Sequence, residues 1–254
     1  MSVFTVVFLS LVVLTSGLIS ALPEEDTIND ALKDLDPTDM SIYYAMGEYY
    51  PPDDVDTLNV NWFGGRVEII AYNESYYFVE ESATRQLMEN ERLAFALQDN
   101  ECTVYYQSDE SSLDDLYKKV EIRIPKSKAD KLKSLNINTN GEVIIKNIVA
   151  ENITVNGKTG RVLCENTYSN STQLTTSSGN VDIFVNNDIG YSMDFSSKNG
   201  KMTSYVDNGL NSYISGDGRY KFAVKTKNGD LKIALNLTRC AIKKQKPKKG
   251  QTIP

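Results

Sequence analysis

The sequence predicts an all-β protein, a β-solenoid or parallel β-helix-like stack of coils about 20 residues long, preceded by an N-terminal apolar helix. Three observations support this: period-2 alternation of apolar residues, glycine turns at near-constant spacing, and an uncharged apolar run at residues 3–22. The 254 residues suffice for one large domain or two small ones.

The glycine turns provide the main signal for the stack. Six segments share alternating apolar residues, a turn glycine and an apolar residue two positions later; the glycines are Gly65, Gly141, Gly160, Gly179, Gly200 and Gly229. From Gly141 onward they are separated by 19, 19, 21 and 29 residues. An antiparallel meander with Asn-Gly hairpins is the alternative, but a regular period favours coils that bury their faces against their neighbours.

The alternation predicts two rows of inward side chains. The first row is Val143, Val162, Val181, Met202 and Leu231, and the second is Ile145, Cys164, Ile183, Ser204 and Ile233. Cys164 is expected to act as a small core hydrophobe. We expect the Asn-Gly, Ser-Gly and Thr-Gly pairs to supply the positive φ of a tight turn.

Between residues 73 and 125 the alternation continues without the period. The predicted strands span residues 76–80, 93–97, 102–106 and 120–124. Asp99 and Asn100 resemble a hairpin turn, and Pro125 is expected to end the last of these strands.

Composition divides the chain into four parts. Residues 1–22 are predicted to be a signal peptide or membrane anchor, 23–54 an acidic linker with a short helix and a Tyr-rich end, 55–238 the repetitive β domain, and 239–254 a basic tail. Residues 23–56 carry eleven acidic side chains against Lys33, while residues 239–254 carry six basic ones and no acidic one. We expect the tail to be solvated, with contact to anionic wall polymer or lipid as the alternative.

The composition also excludes several classes of function. The chain has no histidine, so Ser-His and Cys-His catalysis are excluded, and the net charge of −7 disfavours binding of nucleic acid. Cys102, Cys164 and Cys240 are far apart and predict neither a disulfide framework nor a metal site. We therefore predict no catalytic, cofactor-binding or metal-binding residues.

Two groups of residues have the side chains of possible sites but are better explained by structural roles. The residues after the turn glycines have mixed charges, which favours mutual compensation over a catalytic acid pair; they are Arg66, Glu142, Arg161, Asn180, Lys201 and Asp230. A calcium site near the interrupted step would use Asp207, Asn208, Asp217 and Asp230, but these residues are more typical of turns.

Tyrosines occur in adjacent pairs, at positions 43–44, 49–50, 76–77 and 105–106. One tyrosine of each pair should face outward if the pair lies in a strand. Outward tyrosines suit recognition of sugars or proteins, whereas bracing of the sheet faces is the structural alternative.

The motifs together resemble a known family. VNWFGGRVEI near residue 60, the I-x-I-P-K-S step from Ile122 to Ser127 and the L-x-I-x-T-x-x-G-x-V-type coils resemble the bacterial putative-adhesin family, a domain of unknown function found mostly in Firmicutes and Bacteroidetes. The resemblance covers about residues 55–237. It implies an all-β, solenoid-like stack in envelope-associated proteins, and it supplies no catalytic residues.

The expected function is that of a non-enzymatic cell-envelope module, exported or membrane-anchored, that acts as an adhesin or surface binding protein. The alternatives are a membrane-tethered, self-assembling scaffold and a polysaccharide-processing enzyme of the envelope. Expected partners are envelope polysaccharide, host glycan or a protein surface, with the membrane contacted through the N-terminal segment and no nucleic acid. The expected location is outside the cytoplasm, at the cell membrane or surface, or secreted after cleavage.

Overall fold

The computed structural model describes residues 44–49, 51, 54–106, 116–206 and 210–236. These residues form the following strands: β1 (Tyr44–Tyr49), β2 (Thr57–Trp62), β3 (Arg66–Tyr72), β4 (Phe78–Ala83), β5 (Ala94–Gln98), β6 (Glu101–Tyr105), β7 (Lys118–Pro125), β8 (Leu132–Thr139), β9 (Glu142–Lys146), β10 (Val149–Gly157), β11 (Val162–Glu165), β12 (Tyr168–Thr176), β13 (Val181–Val185), β14 (Tyr191–Ser197), β15 (Met202–Ser204), β16 (Ser212–Ser215), β17 (Tyr220–Thr226) and β18 (Leu231–Leu235). The all-β prediction is confirmed. The predicted apolar helix, most of the acidic linker and the basic tail lie outside the described residues.

Helical structure is limited to two short elements among the described residues. One is helix α1 (Lys126–Ala129), and the other is a single 3₁₀ turn at Glu89–Glu91. Helix α1 follows β7 directly, and β7 ends at Pro125, as predicted. The four strands predicted between residues 73 and 125 correspond to β4, β5, β6 and β7, and Asp99, with a φ of 51°, lies in the β5–β6 hairpin.

The strands form two nine-stranded sheets. Sheet A has the order β1-β4-β7-β3-β9-β11-β13-β18-β15, and sheet B has the order β16-β14-β17-β12-β10-β8-β2-β6-β5. The inward side chains of both sheets belong to one buried cluster, which includes Trp62, Val67, Ile137 and Leu174. Burying such side chains drives folding, at about 1.5–3 kcal/mol for each large aliphatic residue.

Each of the repeated segments gives one strand to each sheet and pairs in parallel with its neighbours. In sheet A Val143 pairs with Val162, which pairs with Val181, and in sheet B Ile137 pairs with Val155, which pairs with Leu174. The offset along sheet A is the 19-residue spacing of the turn glycines. Parallel pairing shows that these segments do not form the antiparallel meander.

The order of the coils differs from the order of the chain at both ends. The β17–β18 coil lies between β12–β13 and β14–β15, so Leu231 pairs with Val181 on one side and Met202 on the other. Leu231 therefore precedes Met202 in the row of inward residues, which corrects the linear order that the sequence suggests. Likewise, β2–β3 lies between β6–β7 and β8–β9. The 29-residue step from Gly200 to Gly229 thus includes β16. After β16 the chain returns and places the β17–β18 coil between the β12–β13 and β14–β15 coils.

The turn glycines form a continuous ladder along the stack. A Cβ atom added at Gly160 would lie within 3.0 Å of backbone atoms of Gly141, and one added at Gly179 would approach Gly160 equally closely. The expected positive φ is present at Gly65, where φ is 81°, but at none of the other five turn glycines. The glycines are therefore required mainly because successive turns approach each other closely, and the turn-geometry explanation was wrong for these five.

Candidate functional site

On the outer face of sheet B, strands β2, β8, β10 and β12 share aligned rows of uncharged polar side chains, and the exposed charged residues of these strands, Lys133 and Glu151, lie outside the rows. Alternation along β2, β8, β10 and β12 directs apolar residues inward and leaves three polar residues on each strand outward. We call these outward residues the amide–hydroxyl face: Thr57, Asn59, Asn61, Ser134, Asn136, Asn138, Asn152, Thr154, Asn156, Ser171, Gln173 and Thr175. Parallel register aligns them in three rows at the strand spacing of about 4.8 Å.

Asparagines on this face form hydrogen-bonded ladders. The Nδ2 of Asn156 donates to Oδ1 of Asn138 at 2.9 Å, and the Nδ2 of Asn138 donates to Oδ1 of Asn61 at 2.9 Å. Asn136 donates to Asn59 in the same way at 2.8 Å. A carboxamide has two N–H donors and two acceptor lone pairs, so each such bond leaves further hydrogen-bonding capacity directed at solvent. The ladder fixes the side chains while leaving polar groups for a ligand.

The outer face of sheet A has a different chemistry. Lys119 bridges Glu68 at 3.3 Å and Glu121 at 2.9 Å, and Arg123 also pairs with Glu121. Burial raises the pKa of Glu121, but the hydrogen bonds from Lys119 and Arg123 outweigh this effect and hold the pKa below its ordinary value. Opposite charges on this face are therefore neutralised by each other.

The residues that follow the turn glycines compensate each other's charges only in part. Arg66 pairs with Glu142 at 2.8 Å, and the backbone N–H of Lys201 donates to Oδ1 of Asp230 at 2.7 Å. Arg161 pairs instead with Asp182 on the next coil, at 2.6 Å. These contacts give the mixed-charge ladder a structural role.

A groove lies at the end of the amide–hydroxyl face where β2, β8 and β10 meet their turns. Its volume is about 660 Å³, within the usual range for small-ligand sites. The lining consists of Asn61, Trp62, Phe63, Tyr106, Asn138, Thr139, Asn140, Asn156, Gly157 and Lys158. Amides thus form one part of the lining and aromatic rings another, and Lys158 is the one charged residue among them.

The aromatic side of the groove is held in place from beneath. The Trp62 ring meets the Tyr106 ring edge-to-face at 5.0 Å, and the Phe63 and Tyr106 centroids are 6.0 Å apart. The ammonium of Lys118 lies 4.2 Å from the Tyr106 centroid. This cation–π contact and the ring packing fix the orientation of Tyr106.

Lys118 belongs to a buried cluster of charges. Its Nζ lies 2.7 Å from Oε1 of Glu81 and donates to the backbone oxygen of Glu91 at 2.6 Å. The Glu91 carboxylate pairs with Arg85 at 2.7 Å. Burial lowers the pKa of Lys118 although Glu81 acts against it. The two cations and two carboxylates balance, as burial of charge requires.

Other residues considered from sequence have structural roles where they are described. Tyr76 and Tyr105 are exposed, Tyr77 is buried and Tyr106 is half-buried, but neither pair lies wholly within a strand, because β4 begins at Phe78 and β6 ends at Tyr105. Oδ1 of Asp217 accepts a hydrogen bond from the backbone N–H of Arg219 at 3.1 Å, as a turn residue would. Tyr43, Tyr50, Asp207, Asn208 and Cys240 lie outside the described residues.

The two cysteines in the described part of the chain are free and buried. Burial raises the pKa of the Cys102 thiol to about 11 and that of Cys164 to about 12. Cys164 lies in the second inward row between Ile145 and Ile183, as predicted. Both thiols remain protonated at neutral pH and act as small core hydrophobes.

Metal sites and membrane spans can be assessed for the described residues alone. Among these residues, no group of three or more Cys, Asp or Glu side chains is arranged to hold a metal ion. No helix within the same ranges has both the length and the apolar character needed to cross a bilayer.

Comparison with known proteins supports the family resemblance. Residues 118–234, from β7 into β18, match the family model described as Toastrack DUF4097. This region of the chain is similar to the Toastrack DUF4097 family, which confirms the resemblance indicated by the motifs. The comparison with curated proteins finds no match.

One solved structure shows a similar fold, and two others align with much of the chain. A protein described as a putative cell adhesion protein from Clostridium sporogenes is 16% identical, with a TM-score of 0.53 over 76% of this chain and 100% of that one. Putative adhesins from Bacteroides fragilis (11% identity, TM-score 0.32) and Parabacteroides merdae (12%, 0.24) each align with 76% of this chain and with 96% and 95% of their own. The similarity to the Clostridium protein is evidence about fold.

The amide–hydroxyl face and the groove were not identified from sequence. The available signal was the repeated Leu-Asn-x-Asn pattern at residues 58–61 and 135–138, in which both asparagines occupy outward positions. The residues after the turn glycines, whose mixed charges suggested a possible site, border the opposite sheet. The buried charge cluster was missed because Glu81, Glu91 and Lys118 are distant in sequence.

Proposed function

We propose that this chain is a non-enzymatic binding module of the cell envelope, exported or membrane-anchored, whose parallel coils form a β-solenoid. The observation that carries the proposal is the contrast between the outer faces of the two sheets. Charges on sheet A neutralise each other, whereas the amide–hydroxyl face on sheet B keeps hydrogen-bonding capacity for solvent.

The ligand that this face fits best is an extended, uncharged polysaccharide. Hydroxyl groups of sugars both donate and accept hydrogen bonds, as do the amides and hydroxyls of the face. The rows repeat at about 4.8 Å, so an extended polymer would make many weak contacts whose sum gives useful affinity. The names of the solved relatives, which describe adhesion proteins, support a binding role over a catalytic one.

The binding proposal is tested with the full-length chain in detergent micelles and a panel of neutral wall polysaccharides. Replacing Thr154 and Gln173 with Glu adds two negative charges to the middle row of the face and leaves every asparagine of the ladders in place. We expect this variant to lose about tenfold or more in affinity, because carboxylates on the face would be desolvated without partners. Lys232→Glu on sheet A changes the net charge equally and should bind like the wild type. Equal losses in both variants would overturn the proposal.

The location is tested separately, because the N-terminal segment lies outside the described residues. We propose that residues 1–22 direct export and that the β domain faces outward. Protease treatment of intact host cells, followed by N-terminal sequencing of the recovered protein, distinguishes an anchor from a cleaved signal. Digestion by external protease is expected, and complete protection inside the cytoplasm would contradict the proposal.

Self-assembly is a second candidate supported by one specific observation. β16 is the last strand of sheet B, and its Ile214 side chain is 71% exposed, the largest exposed fraction among the large hydrophobic residues described. An edge strand with an exposed apolar residue favours pairing with another chain. Filaments or concentration-dependent sedimentation that Ile214→Lys abolishes would support a scaffold, and a monomer at all concentrations would contradict it.

A further inference from the structure

We infer that the groove beside Trp62 and Tyr106 is a subsite for a pyranose ring of an uncharged glycan, and that it determines which sugar the face accepts. The inference rests on the proposed function and concerns the groove at one end of the same face. The amide–hydroxyl face would supply summed affinity for any extended neutral polymer, whereas the groove would supply selectivity.

The composition of the lining points to a sugar ring. A pyranose has an apolar C–H face and equatorial hydroxyls, so it binds best where an aromatic ring lies beside hydrogen-bonding amides. Phe63 and Tyr106 provide aromatic surface, and Asn61, Asn138 and Asn156 provide the amides. A volume of about 660 Å³ accommodates more than one ring.

The charges around the groove favour a neutral ligand. No carboxylate is found among the described lining residues, and Lys158 is half-buried. The cation nearest the aromatic rings, Lys118, is fully buried and neutralised by Glu81 at 2.7 Å. A glycan with one acidic group on every sugar would meet a single cation along a row of amides, which gives it no charge complementarity.

The groove is also organised before a ligand arrives. Asn138 lies between Asn61 and Asn156 in one ladder, with hydrogen bonds of 2.9 Å on either side. Tyr106 is fixed by Trp62 and by Lys118 beneath it. Side chains already fixed in place lose little conformational entropy on binding, which favours selectivity in a small site.

The test uses the full-length chain in detergent micelles and defined hexasaccharides as probes. The neutral probes are hexamers of β-linked glucose, of N-acetylglucosamine and of mannose, and the acidic probe is a galacturonate hexamer. Binding is measured by calorimetry for the wild type and for Phe63→Ala, Asn138→Ala and Asn138→Trp. Asn199→Ala is the matched control, because Asn199 donates a hydrogen bond to the Asn228 side chain at 2.7 Å but lies neither on the amide–hydroxyl face nor in the groove lining.

We expect at least one neutral hexamer to bind in preference to the acidic one. Phe63→Ala and Asn138→Ala should each weaken that binding by about tenfold, and Asn138→Trp should abolish it by filling the groove, while Asn199→Ala changes it less than about twofold. Circular dichroism confirms that each variant is folded.

Three results would overturn the inference: preference for the galacturonate hexamer, an equal loss in Asn199→Ala and Asn138→Ala, or no binding of any neutral hexamer. If long neutral polymers still bound in the third case, the groove assignment would fail while the proposed function of the face would stand. If neither the hexamers nor the long neutral polymers bound, both proposals would be refuted.

Discussion

Replacing one turn glycine with alanine should destabilise the whole stack. In Gly160→Ala the added Cβ would lie within 3.0 Å of the backbone of Gly141 and Glu142 on the neighbouring coil. Neither coil can relax without loosening the turn hydrogen bonds, in which the backbone N–H of Gly160 and the Thr159 hydroxyl both donate to the Asn140 oxygen at 3.2 Å. The damage is therefore to paired backbone rather than to a flexible side chain.

The expected magnitude combines three effects. Overpacking costs about 1–3 kcal/mol, and loss of the two hydrogen bonds costs about 1 kcal/mol each. The smaller entropy of an unfolded chain with alanine offsets about 0.4–1 kcal/mol. We therefore expect Gly160→Ala to lower the free energy of unfolding by about 3 kcal/mol.

Gly157→Ala is the matched control three residues earlier in the same coil. A Cβ atom at Gly157 would lie 3.5 Å from the Thr176 methyl, an ordinary contact, so we expect stability within about 0.5 kcal/mol of the wild type. The assay is urea unfolding followed by the fluorescence of Trp62, the single tryptophan, which is buried. Equal stability of the two variants would refute the close-approach explanation of the ladder.

Three further predictions concern the buried charges, the thiols and the surface ion pairs. Lys118→Met should lower the free energy of unfolding in urea by about 3–5 kcal/mol, because it leaves the Glu81 carboxylate buried without its cation. The double variant Lys118→Met, Glu81→Gln should recover part of this loss. Additive losses from the two substitutions would contradict the prediction. Because burial raises the pKa of Cys102 to about 11 and of Cys164 to about 12, the folded state holds protons that the unfolded state releases above about pH 9. Stability should fall between pH 9 and 12, less steeply in Cys102→Ala, and a parallel pH profile for that variant would disprove the assignment. Arg161→Ala removes an ion pair at the surface and should change the free energy of unfolding by less than about 1 kcal/mol. A larger loss in the same assay would mean that the charge ladder is a major source of stability.

The local structure of the coils could be predicted from sequence because it depends on neighbouring residues. Alternation identified β8–β13 and their inward side chains, and the constant glycine spacing gave the register offset. Cys164 was placed correctly in the core because the alternation of apolar residues predicts an inward side chain at its position, whatever the reactivity of a thiol. Each of these inferences needed only a window of about 20 residues.

The order of the coils could not be predicted in the same way. In a linear stack Met202 would follow Val181, whereas in the structure Leu231 lies between them. Leu231 and Met202 are both apolar residues two positions after a glycine, so the sequence pattern is satisfied by either arrangement. Which of the two coil orders forms depends on the path of the chain through β16 and on pairing between strands that are distant in sequence. Residue type at the turn does not distinguish these arrangements.

The candidate site was missed for a related physical reason. Asn61, Asn138 and Asn156 are unremarkable singly, and they form a ladder only because parallel register places β2, β8 and β10 side by side. The aromatic side of the groove requires Tyr106 to approach Trp62 across the stack. The polar outward positions were visible in the sequence, but their alignment is a property of the sheet.

The central claim is that an uncharged face binds a neutral polymer, and its most direct test is the salt dependence of binding. The full-length chain is titrated with neutral and acidic polysaccharides of equal length at about 0.1 M and about 1 M salt, where the Debye length falls from about 10 Å to about 3 Å. We predict preference for a neutral polymer, with an affinity that changes less than about twofold. Preference for the acidic polymer, with an affinity that collapses at high salt, would contradict the account.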